Sequence, residues 1–378
     1  MTRVCLVNMS QEYFSTRHGG AVATVIREVG TVLVERGHEV SVISYTMEEQ
    51  GGPLVVHSLG DFRREAQWRR VHRRLRPDAR RKAYERSCRR ALSALHPTPD
   101  VVVLFNDYEA VPLVRQAAPT AQIVVWLHND HPVPDAFDWN QLHAVLTCSE
   151  FIRNTVVAKG APDTLCHTVL NGVALDRFSP RPDWLDFERP PRFLCIGRLD
   201  PNKGHHIALE ALARLPAELR GRVTLIGARW WYGDTIDDYG TELMLRLQDL
   251  NGEYLGLLPR EAVASEIARH DVCFVLSRSE EPFGLVVLEA MASGLAVIAS
   301  NKGGLPEACG GAALALLSPD DVDGVVEAIR SISGPNGQQR LRAVKIAGLE
   351  RARLAGWEVT ADAFECALMG SSERGIGH

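Results

Sequence analysis

Two short blocks of this 378-residue chain hold residue types that could do chemistry together. The first, Gly197-Arg198-Leu199-Asp200-Pro201-Asn202-Lys203-Gly204, follows an apolar run. A strand that ends in a glycine-bounded loop carrying Arg198 and Lys203, ahead of a helix, suits a diphosphate. Backbone N–H groups and two cations then converge at the edge of a sheet. Basic loops between strands and helices are common, so this block alone leaves an ordinary surface loop open. The second block runs from Ser277-Arg278-Ser279-Glu280-Glu281-Pro282-Phe283-Gly284 into an apolar helical stretch that holds Glu289. Pro282 and Gly284 bracket a tight turn. Carboxylates at a strand end accept sugar hydroxyls in charge-assisted hydrogen bonds, roughly twice as strong as neutral ones. The helix N-terminus near residues 284–286 can offer N–H groups to a phosphate. A capping glutamate explains either acid alone, but not easily the whole block. Gly303-Gly304-Leu305-Pro306-Glu307 adds another loop suited to close approach.

Such loops need strands to hold them, and strand-like and helix-like segments alternate along the chain. Residues 4–7, 40–43, 101–105 and 123–127 are apolar runs of strand length, as a parallel sheet covered on both faces requires. Between the first two, Val22, Val25, Ile26, Val29 and Leu33 form one face of a helix that stops at Gly37. A second series begins near residue 190, with strands at 192–196, 223–226, 272–276 and 295–299 and helical segments at 207–215 and 262–269. The pattern predicts an α/β protein of two doubly wound, Rossmann-like halves. The polar, proline-rich stretch 179–190 reads as their junction, with an N-terminal domain over 1–180 and a C-terminal domain over 190–356.

Composition narrows the partners. With 42 basic and 47 acidic residues the net charge is −5, which excludes a polycation that coats nucleic acid. No stretch reaches 18 apolar residues, and the first apolar run is too short for a signal peptide, so a cytoplasmic location is expected. The eight cysteines show no Cys-x-x-Cys pairing and no Cys/His spacing suited to zinc. Asp321-Val322-Asp323 reads as a helix start rather than a metal motif. Residues 63–90 stand apart: twelve arginines and one lysine face three acids, a local charge of +10. That segment reads as a solvated helical face, as a contact for an anionic membrane surface or acidic acceptor, or as a partner-protein contact. Each basic residue near anionic lipid adds about 1 kcal/mol. Nucleic acid is the weakest reading, since no aromatic platform is interleaved with the arginines.

With these residues in view, the chain resembles the retaining family 4 glycosyltransferases, which have the GT-B fold. The stretch from Glu281 to Glu289 resembles their Glu-x7-Glu motif, and Gly197-Arg198 with Lys203-Gly204 their diphosphate loop. Leu170-Asn171-Gly172-Val173-Ala174-Leu175-Asp176-Arg177-Phe178-Ser179-Pro180 is similar to their domain-junction signature, with Ala174 where an acid is usual. His18-Gly19-Gly20 resembles the N-terminal glycine loop, and Trp126-Leu127-His128-Asn129-Asp130 the strand end with a functional histidine. The likeness covers roughly residues 3–330 and leaves out 46–100.

The resemblance implies two domains facing an interdomain cleft, with a nucleotide-sugar donor site in the second and an acceptor site in the first. Arg198 and Lys203 would grip the diphosphate, Glu281 hydroxyls of the transferred sugar, and Glu289 the ribose. Backbone at Phe283, Gly284, Leu285 and Val286 would meet the distal phosphate. Gly197 would shape that loop, and Gly19 and Gly20 would approach from the opposite side. His128 would sit beside the anomeric carbon, so His128, Glu281, Arg198 and Lys203 are the candidate catalytic residues. The same likeness implies same-face substitution, with the departing diphosphate taking the acceptor's proton, and a helix near 357–370 crossing back to the first domain. Two cations on the diphosphate make a metal unnecessary, so no cofactor is expected beyond the nucleotide-diphosphate sugar, by default a uridine one. Asp107, Tyr108, Asp130 and Trp139 would line the acceptor side together with Glu109, Asp135 and Asp138. Such a wall suits a small, soluble polyhydroxylated or amine-bearing acceptor, for example a natural-product or aminocyclitol scaffold of antibiotic biosynthesis. The alternatives are a peripheral-membrane enzyme with a lipid acceptor, a GT-B-shaped binding protein without turnover, and a sugar-nucleotide epimerase.

Overall fold

The computed structural model describes residues 1–15, 20–47, 51–62, 77–186, 190–229 and 236–369. The chain divides into two compact units, one of residues 1–171 with the C-terminal stretch from Trp357, the other of residues 172–356. Each is built on an all-parallel sheet.

In the first unit the strands are β1 (Arg3–Val7), β2 (Tyr13–Phe14), β3 (Glu39–Thr46), β4 (Val55–Asp61), β5 (Val101–Phe105), β6 (Gln122–Leu127), β7 (Ala144–Thr147) and β8 (Cys166–Thr168). They lie in the order β2-β3-β1-β5-β6-β7-β8, with β4 also paired to β3. The apolar runs at β1, β5 and β6 are continuous because helices cover both faces; all five residues of β5 are buried. The helices are α1 (Ala21–Glu35), α2 (Pro77–Ser93), α3 (Val111–Ala117) and α4 (Glu150–Ala158). Sequence order reverses between β1 and β5, so the loops after these strands part and leave a crevice at the C-terminal edge of the sheet.

The second unit repeats the plan with β9 (Phe193–Ile196), β10 (Val223–Ile226), β11 (Glu253–Gly256), β12 (Val272–Val275), β13 (Ala296–Ser300) and β14 (Ala315–Leu317). Their order, β11-β10-β9-β12-β13-β14, puts the switch point between β9 and β12. Its helices are α5 (His205–Ala213), α6 (Asp238–Asp249), α7 (Arg260–Ile267), α8 (Leu285–Ala292), α9 (Leu305–Cys309), α10 (Val322–Ser331) and α11 (Gly334–Arg353).

The chain leaves the first unit at Asn171, ahead of the proline-rich stretch that the sequence suggested as the junction. The described part of that stretch is strapped to the second unit. Lys345 on α11, its side chain 1% exposed, donates to the Trp184 carbonyl at 2.6 Å and pairs with buried Asp271 at 3.4 Å. Asp271 also accepts the Arg192 backbone N–H at 2.9 Å and lies 3.5 Å from Arg181. Burial draws the Lys345 ammonium down to about 8, against the pull of Asp271. Sequence pattern alone reads Pro and charge as a free linker; here three cations around one buried carboxylate hold it down.

The final helix, α12 (Trp357–Met369), returns to the first unit. Phe364 stacks on Trp126 of β6 at 5.4 Å, His38 Nε2 lies 2.9 Å from Glu365, and the Thr360 hydroxyl donates to the Leu170 carbonyl at 2.9 Å. α12 thereby backs β6, the strand that leads into His128.

Candidate functional site

At the β9/β12 switch point, side chains distant in sequence are brought together. Asp200 caps the short helical turn 201–203 by accepting the Asn202 N–H at 3.0 Å, and this turn lifts Lys203 off the end of β9. Lys203 Nζ reaches both oxygens of Glu281, at 2.9 and 2.7 Å. The Ser277 hydroxyl donates to the same carboxylate at 2.8 Å. Two glycines make this approach sterically allowed. Gly204 has φ +68°, and a Cβ there would lie 2.0 Å from the Leu276 carbonyl oxygen. Gly303 has φ +56°, and a Cβ would lie 2.1 Å from the Glu281 carbonyl oxygen. The Gly304 N–H then donates to that carbonyl at 2.7 Å, and Arg278 N–H to the Asn202 carbonyl at 2.8 Å. Three loops are thus tied edge to edge.

Arg198 sits in the same loop as Lys203, with Nη1 3.6 Å from Asp200. His205, buried at the start of α5, fixes the loop from beneath through Nε2, 3.0 Å from the Arg198 carbonyl. Gly197 leaves β9 at φ +147°. Gly284, at φ +97°, is the N-cap residue of α8, with buried Phe283 before it and half-buried Leu285 and Val286 after it. Glu289 lies half-buried on α8, close enough for its charge to help raise the buried Cys273 thiol of β12. The arrangement therefore offers two cations, a helix N-terminus and an oriented carboxylate at one sheet edge. A diphosphate next to hydroxyl groups is the ligand such a set can hold.

The first unit carries the histidine. His128 follows β6, is 7% exposed, and lies nearly parallel to Phe105, with ring centroids 5.6 Å apart. Both of its ring nitrogens are buried and have no hydrogen-bond partner among the described residues. Burial holds the imidazole down to about 3, so it is neutral at physiological pH. Gly20 is the N-cap residue of α1, where Glu12 Oε2 accepts the Ala23 N–H at 3.0 Å. Desolvation pushes the Glu12 carboxyl up to about 7. His18 and Gly19 lie outside the described residues, as does the arginine-rich stretch 63–76.

Among the residues expected on the acceptor side, Asp107 is engaged within the protein. It is 5% exposed and accepts Arg81 in a two-pronged pair at 2.9 and 2.7 Å, together with the Ala110 N–H at 3.1 Å. Its oxygens pin α2 to the sheet. Asp130 pairs with Lys159. Tyr108 is buried edge-on against Phe137 at 5.2 Å and Trp139 at 5.7 Å, and its hydroxyl has no partner among the described residues. Trp139 is half-buried in a turn capped by Asp138. Asp321 caps α10 through the Gly324 N–H at 2.8 Å, and Asp323 pairs with Arg214 at 2.9 Å. Sequence reading gave no individual role to Arg81, Glu12 or Asn106, nor to Ser277, although that residue opens the second block. Only Ser277 had a local signal, its place directly after an apolar strand.

Two family models match: "Glycosyl transferases group 1" over residues 176–346 and "Glycosyltransferase Family 4" over residues 19–177. A putative glycosyltransferase, YtcC, of Bacillus subtilis is 27% identical over 230 residues, 54% of this chain and 56% of that one. A D-inositol 3-phosphate glycosyltransferase of Kribbella flavida is 30% identical over 284 residues, 69% of this chain and 66% of that one. The chain spans about half to two thirds of the length of the curated relatives it matches. Among solved structures, that of Anabaena Alr3699/HepE in complex with UDP and glucose superposes with a TM-score of 0.71 at 17% identity, covering 98% of this chain and 100% of that one. The fold is GT-B, as the sequence resemblance implied.

The buried histidine yields a direct prediction. In isotope-labelled protein the His128 ring signals stay those of a neutral imidazole from pH 8 down to pH 5, because burial lowers its pKa and leaves no proton to gain in that range. A titration midpoint near that of an exposed histidine, about 6.5, would contradict the description of this strand end.

Proposed function

This chain belongs to glycosyltransferase family 4, and we propose that it moves a hexose-type sugar from a nucleotide-diphosphate sugar to a hydroxyl of a small soluble acceptor. The observation that carries the reading is the convergence of Arg198, Lys203 and Glu281 at the β9/β12 switch point. Arg198 and Lys203 would neutralise the diphosphate as it departs, which is where negative charge accumulates; losing one such donor costs about 10²–10³ in rate. Glu281, already oriented by Ser277, would hold hydroxyls of the transferred sugar, and Glu289 the ribose. The N-terminus of α8 would face the distal phosphate. His128, neutral and with both ring nitrogens unengaged among the described residues, is read as a hydrogen-bonding group for substrate hydroxyls and not as an acid.

The reaction we assign retains the anomeric configuration. The bond from the anomeric carbon to the diphosphate oxygen breaks, and the acceptor oxygen bonds to the same face. The acceptor's proton passes to the departing phosphate oxygen, releasing nucleoside diphosphate and glycoside. No divalent ion enters this scheme, since the two cations take the charge. Uridine is the default base; the HepE structure of the same fold holds UDP and glucose. The half-buried Trp139 and the exposed acids Asp135 and Asp138 beyond β6 favour a polyhydroxylated or amine-bearing acceptor such as a natural-product scaffold.

Calorimetric titration with UDP, GDP, ADP and dTDP, with and without magnesium, tests this reading. One nucleotide is expected to bind without magnesium, and Arg198→Ala to weaken it about tenfold or more. Glu281→Gln should keep nucleotide affinity within about threefold and lose about 10²-fold in transfer. Failure of all four nucleotides to bind would overturn the reading.

A second reading, contact with an anionic membrane, is favoured by α2. Lys82, Arg86, Arg89 and Arg90 are exposed along one stripe of that helix, with no acid paired to them among the described residues. At about 1 kcal/mol per cation the contact would be weak and salt-sensitive. Sedimentation with phosphatidylglycerol vesicles, lost in high salt and in a variant with all four changed to glutamate, would support it. Equal recovery with neutral vesicles, or none with anionic ones at low salt, would exclude it.

A further inference from the structure

We propose that Asn106 is the positioning residue for His128, holding the histidine at the strand end through a side-chain rung that extends the β5–β6 ladder. This rests on the reading of His128 given above. The last backbone pairing of these strands joins Phe105 to Trp126. One residue on, the chain must leave the sheet, and Asn106 does so with φ +52°. A turn of that kind would normally release the end of β6. Here Asn106 keeps hold of it twice. Its own N–H donates to the Trp126 carbonyl at 3.1 Å, and its Oδ1 accepts the His128 N–H at 2.7 Å.

The side chain amide also reaches the loop after β1, with Nδ2 3.6 Å from Met9 Sδ. One residue, 3% exposed, therefore bridges the ends of β1, β5 and β6 at the switch point of the first sheet. Asparagine fits both demands. Its short polar side chain tolerates the left-handed backbone region, and its carbonyl can stand in for a missing backbone acceptor. Glycine meets only the first demand. The ring of His128 has no hydrogen bond of its own among the described residues, so its direction is set by stacking on Phe105, by a tilted contact with Trp126 and by this one backbone tether. The neighbour, Asp107, is locked to Arg81 and to the Ala110 N–H, which keeps the turn itself from drifting.

A double-mutant cycle in the transfer reaction separates positioning from mere structure. Asn106→Gly keeps the backbone freedom and removes the acceptor. It is expected to lower kcat about 10²-fold, the cost typical of a small misplacement. Nucleotide affinity should stay within about twofold, since the nucleotide site is assigned to the other unit. In a His128→Ala background the same change should cost less than about threefold more, because residues acting as one unit are not additive. Independent, multiplying losses would overturn the proposal, as would wild-type turnover in Asn106→Gly. If the glycine variant does not fold, Asn106→Asp, which keeps an acceptor oxygen at that place, decides: turnover within about tenfold of wild type supports the tether, and a loss equal to that of His128→Ala refutes it. Full turnover in His128→Ala itself would instead remove the reading of the histidine, a failure visible separately from the cycle.

Discussion

The ion pair between Lys203 and Glu281 spans a gap that the sheet topology creates. In a parallel sheet whose strand order reverses, the chain leaves β9 in one direction and β12 in the other, and the two loops diverge over an open crevice. Something must tie them, or the cationic loop and the acidic loop would each be placed by solvent alone. Lys203 does so from one side, Ser277 fixes the carboxylate from the other, and the Gly303-Gly304 turn closes beneath it. Side-chain exposures of 26% and 18% leave the pair open to exchange partners. On the function proposed above, a diphosphate would draw on Lys203 and sugar hydroxyls on Glu281 without a buried charge being left alone.

The first unit solves the matching problem in the opposite manner. At its own switch point the central group is neutral, and both ring nitrogens of His128 stand without partners among the described residues. An unmet buried polar group costs about 1–3 kcal/mol. The cost is tolerable for an uncharged ring, whereas an unpaired lysine or glutamate in the same place would change its protonation state instead. The two switch points thus differ in kind: charged groups satisfied within the protein at the second, and a neutral ring without a described partner at the first. The stacking of Phe364 on Trp126 shows how far the support extends, since α12, the last helix among the described residues, props the strand that presents the histidine.

Much of this was legible in the sequence, and the exceptions have physical reasons. Apolar runs of strand length separated by helical periodicity announce a doubly wound sheet, because burial on both faces leaves no other composition. The loops after β9 and β12 could be read because each carries its own local pattern, Gly197, Arg198, Lys203 and Gly204 in the first and Glu281, Gly284 and Glu289 in the second. The engagement of Asp107 could not be read because its partner, Arg81, lies 26 residues away on a helix whose composition suggested a solvated face. The proline-rich stretch looked like a free linker because nothing local reveals Lys345, which donates to Trp184 from 161 residues further on. Asn106 gave no signal at all: a single asparagine after a strand is ordinary until its oxygen is seen to accept the N–H of the histidine.

The most direct test of this account is a crystal structure of the protein with the nucleoside diphosphate it binds. The diphosphate is expected within hydrogen-bonding distance of Arg198 and Lys203, next to the N-terminus of α8, with the Lys203–Glu281 contact lengthened from its present 2.7 Å as the lysine turns to the phosphate. A nucleotide bound elsewhere, or one seated at β9 and β12 that leaves both cations on their present partners, would contradict it.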